Sequence, residues 1–310
     1  MKCKWERSHG GSYLTKGDAV LFRPFRTGLK DFLPTRHPPN QKWIFHERES
    51  PYRTWDKYRM KMDFWASFNV SVLYTGDADI IYSRYAVQCE KNPEYKPQFP
   101  PNLDYIKNKT GVALWIVSDC TSTNGRRDYV HEMQKYIDID IYGGCGKGEV
   151  CGKYREFHID CVNQFIETYK FYLAFENSLC QDYYTEKLTK TIGLNVIPVV
   201  MGLVNYSSIV TPGTFIDVRD FQSVKALTDY LSYLDNNNTA FNEIIERRRA
   251  TNCTQNFQYK SVCQLCHYLH QNKDRRQTIQ DPRVFWGTDR QCVTKETFFT
   301  GIADEILRSP

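Results

Sequence analysis

From Val112 onward the sequence repeats one pattern: a short apolar run, an amphipathic segment, then another apolar run. "VALWIVS" (112–118), "IDIDIYGG" (137–144), "KFYLAFE" (170–176), "VIPVVMG" (196–202) and "TFIDV" (214–218) have the length and β-branched content of strands. "GRRDYVHEMQKY" (125–136), "HIDCVNQFIETY" (158–169), "TEKLTKTIG" (185–193), "SVKALTDYLSYL" (223–234) and "AFNEIIERRRA" (240–250) have helical spacing. Strands that alternate with helices predict a parallel, doubly wound α/β sheet, which binds ligands beyond the carboxyl ends of its strands.

Upstream, "DAVLF" (18–22), "KWIFHE" (42–47), "FNVSVLY" (68–74) and "DIIY" (79–82) each fit a short strand. "KNPEYKPQFPPNLDY" (91–105) holds too many prolines for a helix or central strand and reads as an interdomain linker. The expected organisation is therefore a domain at 1–105, a second at 106–285 and a tail at 286–310.

The chain has 310 residues, 11 cysteines and sequons at Asn69, Asn108, Asn205, Asn237 and Asn252. That combination points to an oxidising lumen with disulfides. The opening "MKCKWERSHGG" is polar, so no signal peptide or anchor is visible and the natural N-terminus is expected to lie elsewhere. An odd cysteine count leaves at least one thiol without an internal partner. A net charge of +5 without a long basic run argues against nucleic acid and suits a small anionic ligand.

The chemistry concentrates in "YKFYLAFENSLCQDYYTEKL" (169–188), a strand end that gathers Glu176, Asn177, Tyr183, Glu186 and Lys187. Thr185 is placed to cap a helix, with Glu186 and Lys187 in the first turn. A glutamate there suits the helix dipole; a lysine there opposes it and fits an anion, or else points to solvent. Asp77/Asp79 and Asp138/Asp140 are Asp-x-Asp pairs of the kind that hold Mg²⁺ or Mn²⁺, although the second pair also fits the exposed face of a strand end. Cys263, Cys266, His267 and His270 could approach one zinc ion, but disulfides fit the context better. "ERRRAT" (246–251) reads as a solvated helix end.

"FYLAFENS", "DYYTEK" and "VIPVVMG" together resemble the signature of the GDP-fucose-dependent α1,3-fucosyltransferases, with Tyr184 where that family has Ile or Val. "QKWIFHERESP" (41–51) is similar to the family's acceptor-side segment ending in Glu-Ser-Pro, and "LWIVSDC" with "RRDYVHEMQKYIDIDIYGGCGK" to its first donor-domain strand and helix. The likeness runs from about residue 3 to about residue 295. The "IDIDIYGGCG" and "CQLCHYLH" forms look most like the invertebrate and plant branch, which fucosylates N-glycan cores.

The resemblance implies two Rossmann-like domains facing a cleft, of the GT-B type, and an inverting transfer of fucose from GDP-fucose to the 3-hydroxyl of a GlcNAc unit. Glu49 would be the general base. Arg126 and Lys187 would hold the diphosphate, Glu186 and Tyr183 the ribose or fucose hydroxyls, and Ser118 and Asn177 would line the pocket. Glu176 would act behind them, without touching donor. No metal or cofactor beyond the donor substrate GDP-fucose is implied. The partner is a GlcNAc-containing glycoprotein, in the Golgi lumen, with membrane attachment only through an N-terminal anchor. A Cys3 bond to the C-terminal cysteines is also implied. The chain departs from the family in lacking the first strand, glycine-rich turn and helix before Cys3, and in having "YTGDADI" (74–80) where the family has two arginines. An inactive relative that binds nucleotide or glycan is the alternative.

Overall fold

The computed structural model describes residues 2–6, 16–25, 40–55, 68–82, 84–99, 103–122, 124–152, 159–255, 259–274, 279 and 281–300. They form two compact units. The first comprises Met1–Ala86, Cys180–Tyr183 and Asn256–Val293; the second comprises Val87–Leu179, Tyr184–Gln255 and Thr294–Pro310.

The first unit is built on β1 (Ala19–Phe22), β2 (Lys42–His46), β3 (Val70–Leu73) and β4 (Ile80–Ile81), all parallel and in spatial order β1-β2-β3-β4. A short helix, α1 (Pro51–Thr54), follows β2, with Pro51 in the first turn where its missing N–H costs nothing. One face of the sheet packs Phe22, Trp43, Phe45, Phe68 and Leu73 around Trp286, which is fully buried and donates its indole N–H to Thr54 Oγ1 at 3.2 Å. The other face packs Ile44, Val70, Val72 and Ile80 against Leu265.

The second unit holds β5 (Val87–Lys91), β6 (Gly111–Ile116), α2 (Arg126–Met133), β7 (Ile139–Tyr142), α3 (Ile159–Glu167), β8 (Tyr169–Phe175), α4 (Glu186–Thr189), β9 (Ile197–Met201), β10 (Ile216–Asp217), α5 (Val224–Asn236), α6 (Asn238–Arg249) and β11 (Thr251–Gln255). Its five-stranded sheet is parallel, in the order β10-β9-β8-β6-β7. β8 and β9 are buried on both faces, which is why they read as continuous apolar runs. Pro198 is tolerated inside β9 because β10 pairs only with Val199 and Val200, one step further along. The α/β class with parallel sheets is the one the alternating pattern predicts. α7 (Tyr259–Gln271), α8 (Pro282–Phe285) and α9 (Thr288–Gln291) return to the first unit, and α10 (Lys295–Phe298) to the second.

The Pro-rich stretch packs inside the second unit. Buried Glu246 on α6 accepts hydrogen bonds from the Tyr95 and Tyr105 hydroxyls at 2.5 and 2.7 Å, and Arg249 lies 5.7 Å over each of their rings. Just before it, β5 pairs antiparallel with β11, and the opposed Cys89 and Cys253 are bonded across this ribbon. A two-stranded ribbon is marginal by itself. Replacing Cys89 and Cys253 together by alanine is therefore expected to cost about 2–5 kcal/mol, since the bond closes a long loop. Denaturant unfolding against the parent measures it.

Candidate active site

The carboxyl end of β8 presents a buried carboxylate. Glu176 is 1% exposed and accepts from the Thr185 main-chain N–H at 2.8 Å and from Thr185 Oγ1 at 2.8 Å. Lys187 Nζ lies 3.2 Å from Glu176 Oε2, 2.8 Å from Thr185 Oγ1 and 3.3 Å from Glu186 Oε1. Thr185 thus occupies the N-cap position of α4 without a side-chain capping bond, because its hydroxyl is committed to Glu176. Lys187 is drawn inward by two carboxylates and is mostly buried, so the solvent-pointing alternative for it does not hold. Burial and the nearby Arg126 charge would lower the Lys187 ammonium, but Glu176 and Glu186 outweigh them and hold it above the usual lysine range. Burial pushes the Glu176 carboxyl up. For Glu186, burial works against the charge, yet Lys187 and Lys190 outweigh it and hold the carboxyl at about 2.

The connection after β6 is stitched onto this strand end. Three successive carbonyls of β8 and its extension accept side-chain donors: Phe175 from Arg126 Nη1 at 3.1 Å, Glu176 from Asn124 Nδ2 at 2.7 Å, and Asn177 from Ser122 Oγ at 2.7 Å. Arg126 also donates Nη2 to the Asp119 carbonyl at 2.8 Å, lies 5.7 Å from the Trp115 ring, and is 2% exposed. It opens α2 after Gly125, whose φ of 79° is the left-handed conformation that glycine adopts without strain. Arg126 therefore ties α2 to β6 and β8, and its charge reaches Lys187. Ser118 is exposed at the end of β6, and Asn177 is half-buried beside Ser178.

Two further groups at these strand ends were not singled out in the sequence. A Cβ at Gly202, which ends "VIPVVMG", would lie 2.5 Å from the Tyr206 hydroxyl and 3.5 Å from Glu176 Cγ, so any larger residue would have to displace the buried Tyr206 ring. The buried Tyr206 hydroxyl has no hydrogen-bond partner among the described residues. Arg219, just past β10, lies 5.7 Å from the Tyr206 ring and pairs with Asp217 at 2.5 Å. The motif glycine was the visible signal; the tyrosine and arginine carried none.

Glu49 and Tyr183 belong to the first unit. Glu49 lies between β2 and α1, with its side chain 27% exposed and Oε1 3.7 Å from Arg23 Nη2. Tyr183 is 2% exposed, and its ring packs 5.5 Å from Tyr74. The structure thus gathers Arg126, Glu176, Glu186 and Lys187 in the second unit; Ser118 and Asn177 stand at neighbouring strand ends there.

Three of the four aspartates in the candidate metal pairs have hydrogen-bond partners. Asp79 Oδ2 accepts from Ser71 N and Oγ, each at 2.8 Å, and Asp77 Oδ1 accepts from Thr75 Oγ1 at 2.6 Å. Asp140 takes Lys147 and the Tyr169 hydroxyl. Cys266 is bonded to Cys3, which leaves the sulfurs beside His270 without thiolate character; Cys263 is the free cysteine. Disulfides also join Cys120–Cys145, Cys151–Cys161 and Cys180–Cys292.

The family model described as glycosyltransferase family 10 (fucosyltransferase), C-terminal part, matches residues 106–284, which span the whole five-stranded sheet. The chain belongs to this family. It is 32% identical over 85% of its length to "Glycoprotein 3-alpha-L-fucosyltransferase A" of Drosophila melanogaster, covering 52% of that protein. It is 34% identical over 74% of its length to "Alpha-(1,3)-fucosyltransferase fut-1" of Caenorhabditis elegans, covering 50% of that protein. The chain therefore spans about half the length of these curated relatives. A crystal structure of an alpha1,3-fucosyltransferase with GDP-fucose aligns with 88% of this chain and 77% of its own, at 15% identity and a TM-score of 0.48.

Two outcomes follow from the cluster. Lys187→Ala leaves Glu176 buried without its cation and is expected to cost about 3–5 kcal/mol, much of it recovered when Glu176→Gln is added; thermal unfolding of both variants checks this. Glu186 has a folded pKa of about 2 against an ordinary 4.5, so its stabilisation is complete above pH 4.5 and is lost as pH falls towards 2. The gap in thermal midpoint between parent and Glu186→Gln should therefore be present at pH 7 and shrink steadily below pH 4.5.

Proposed function

We propose that this chain carries the catalytic part of an inverting α1,3-fucosyltransferase that moves fucose from GDP-fucose to the 3-hydroxyl of a GlcNAc unit in a glycoprotein glycan. The observation that carries the reading is the inward-held Lys187, fixed by Glu176 and Thr185 at a strand end of the family's own region. A parallel sheet binds its ligand at that end, and an ammonium held protonated there suits a diphosphate.

In this reading Glu49 takes the proton of the acceptor hydroxyl as its oxygen attacks C1 of fucose. The bond from C1 to the diphosphate oxygen breaks, and GDP leaves with the electron pair. Lys187 and the charge of Arg126 meet the negative charge that grows on GDP. Glu186 and Tyr183 hold the donor's ribose or fucose hydroxyls and Ser118 and Asn177 line the pocket, while Glu176 sets the Lys187 position. These cations supply what a divalent metal supplies elsewhere, so the transfer needs no metal. The names of the relatives support the α1,3 linkage and a glycoprotein acceptor. Five disulfides and the sequons support an oxidising lumen, that of the Golgi, as the working compartment. Among the described residues no helix is long and apolar enough to cross a membrane.

The test is fucose transfer from GDP-fucose to a panel of GlcNAc-terminated and core N-glycans by protein from a secretory host, with EDTA present. Transfer is expected, with Glu49→Gln lowering kcat about 10²–10⁴-fold. Folded protein that binds GDP but transfers nothing would establish the inactive relative instead.

A further inference from the structure

We propose that Glu47 and Arg23 form a frame that positions Glu49; the proposal rests on Glu49 being the base. Glu47 is 0% exposed, the one buried carboxylate among the described residues of the first unit. It accepts from the N–H groups of Phe25 at 2.8 Å, Arg48 at 2.8 Å and Glu49 at 3.2 Å, and from Arg23 Nε at 3.1 Å. Taking a carboxylate out of water is costly unless its lone pairs are satisfied, and these four donors do that.

The donors come from two places. Phe25 and Arg23 follow β1; Arg48 and Glu49 follow β2. β1 and β2 are parallel neighbours, with Phe22 opposite Phe45, so both segments leave the same edge of the sheet. Glu47 ties the two exits together. On its other side Glu49 is followed by buried Ser50, whose carbonyl accepts from Arg53 N, Thr54 N and Thr54 Oγ1, each at 2.9 Å. The main chain of Glu49 is thereby fixed from both directions, and its carboxylate emerges partly exposed from a rigid turn.

Arg23 adds the electrostatic part. Its Nε is 3.1 Å from Glu47 and its Nη2 is 3.7 Å from Glu49. A guanidinium given wholly to Glu49 would make that carboxylate a poor base. Here the guanidinium is shared: its closer contact is the wholly buried Glu47, and from that anchor Arg23 orients Glu49. Glu47 and Arg23 are positioning residues: neither is assigned to the substrate.

The experiment compares Glu47→Gln, Arg23→Gln and Arg23→Lys with the parent in steady-state fucose transfer, each checked for folding by its thermal transition. Glu47→Gln is expected to lower kcat about 10–100-fold, as a small displacement of a reacting group does, while KM for donor and acceptor stays within about twofold. Arg23→Lys should retain more kcat than Arg23→Gln. A folded Glu47→Gln with kcat within about twofold of the parent overturns the proposal, as does loss through KM alone. If Glu47→Gln does not fold, the Arg23 pair decides: equal kcat in the lysine and glutamine variants overturns it. If the parent transfers no fucose, the function reading fails, and a stability cycle over Arg23→Gln and Glu49→Gln tests the geometry. Coupling of about threefold or more in the unfolding constant supports the frame, and additivity overturns it.

Discussion

A single carboxylate taken out of water governs the strand ends of the second unit. Glu176 ends β8 with 1% exposure, and its charge is tolerable only because Thr185 and Lys187 are brought to it. That requirement sets the path of the chain after β8, holds α4 against the strand end and turns Lys187 away from the solvent that an isolated lysine prefers. It also explains the close quarters around Gly202, where the Tyr206 hydroxyl occupies the space of a side chain. The cost of burying these charges is met by pairing them with one another.

The first unit repeats the device with different parts. Glu47 is buried at the end of β2, satisfied by main-chain donors and by Arg23, and the residue left partly exposed is Glu49. In both units the carboxylate that is hidden is not the one expected to act; it fixes a neighbour. A parallel sheet favours this arrangement, because every strand ends at the same edge and the turns that follow can share one acceptor.

The strands and helices of both parallel sheets were legible because apolar periodicity reports burial directly. β8 and β9 are buried on both faces and read as unbroken apolar runs. The β5–β11 ribbon was not legible: "VQCEK" and "TNCTQ" are short and polar, and what joins them is a disulfide across 164 residues. The prolines between residues 91 and 105 signalled the absence of regular structure, yet they could not show that Tyr95 and Tyr105 reach Glu246. At the candidate site the motif residues were visible, but their partners were not. Glu47 looks like any surface glutamate in "FHERESP", and Arg126 gives no hint that main-chain carbonyls take its guanidinium. Sequence shows which groups are chemically capable; only packing shows which of them are already engaged.

The first unit also carries a constraint in time. Its core closes on Trp286, and its cysteines Cys3 and Cys180 pair with Cys266 and Cys292. At typical synthesis rates, roughly 15–50 s separate the emergence of Cys3 from that of its partner. Throughout that interval β1 to β4 lack the indole and the leucine that fill their two faces. The five-stranded sheet, whose strands all lie between Gly111 and Asp217, is delivered in the meantime. Chain order therefore lets the five-stranded sheet assemble first, and it leaves the nascent strands β1 to β4 waiting for partners, and Cys3 for its disulfide, until the end of the chain arrives.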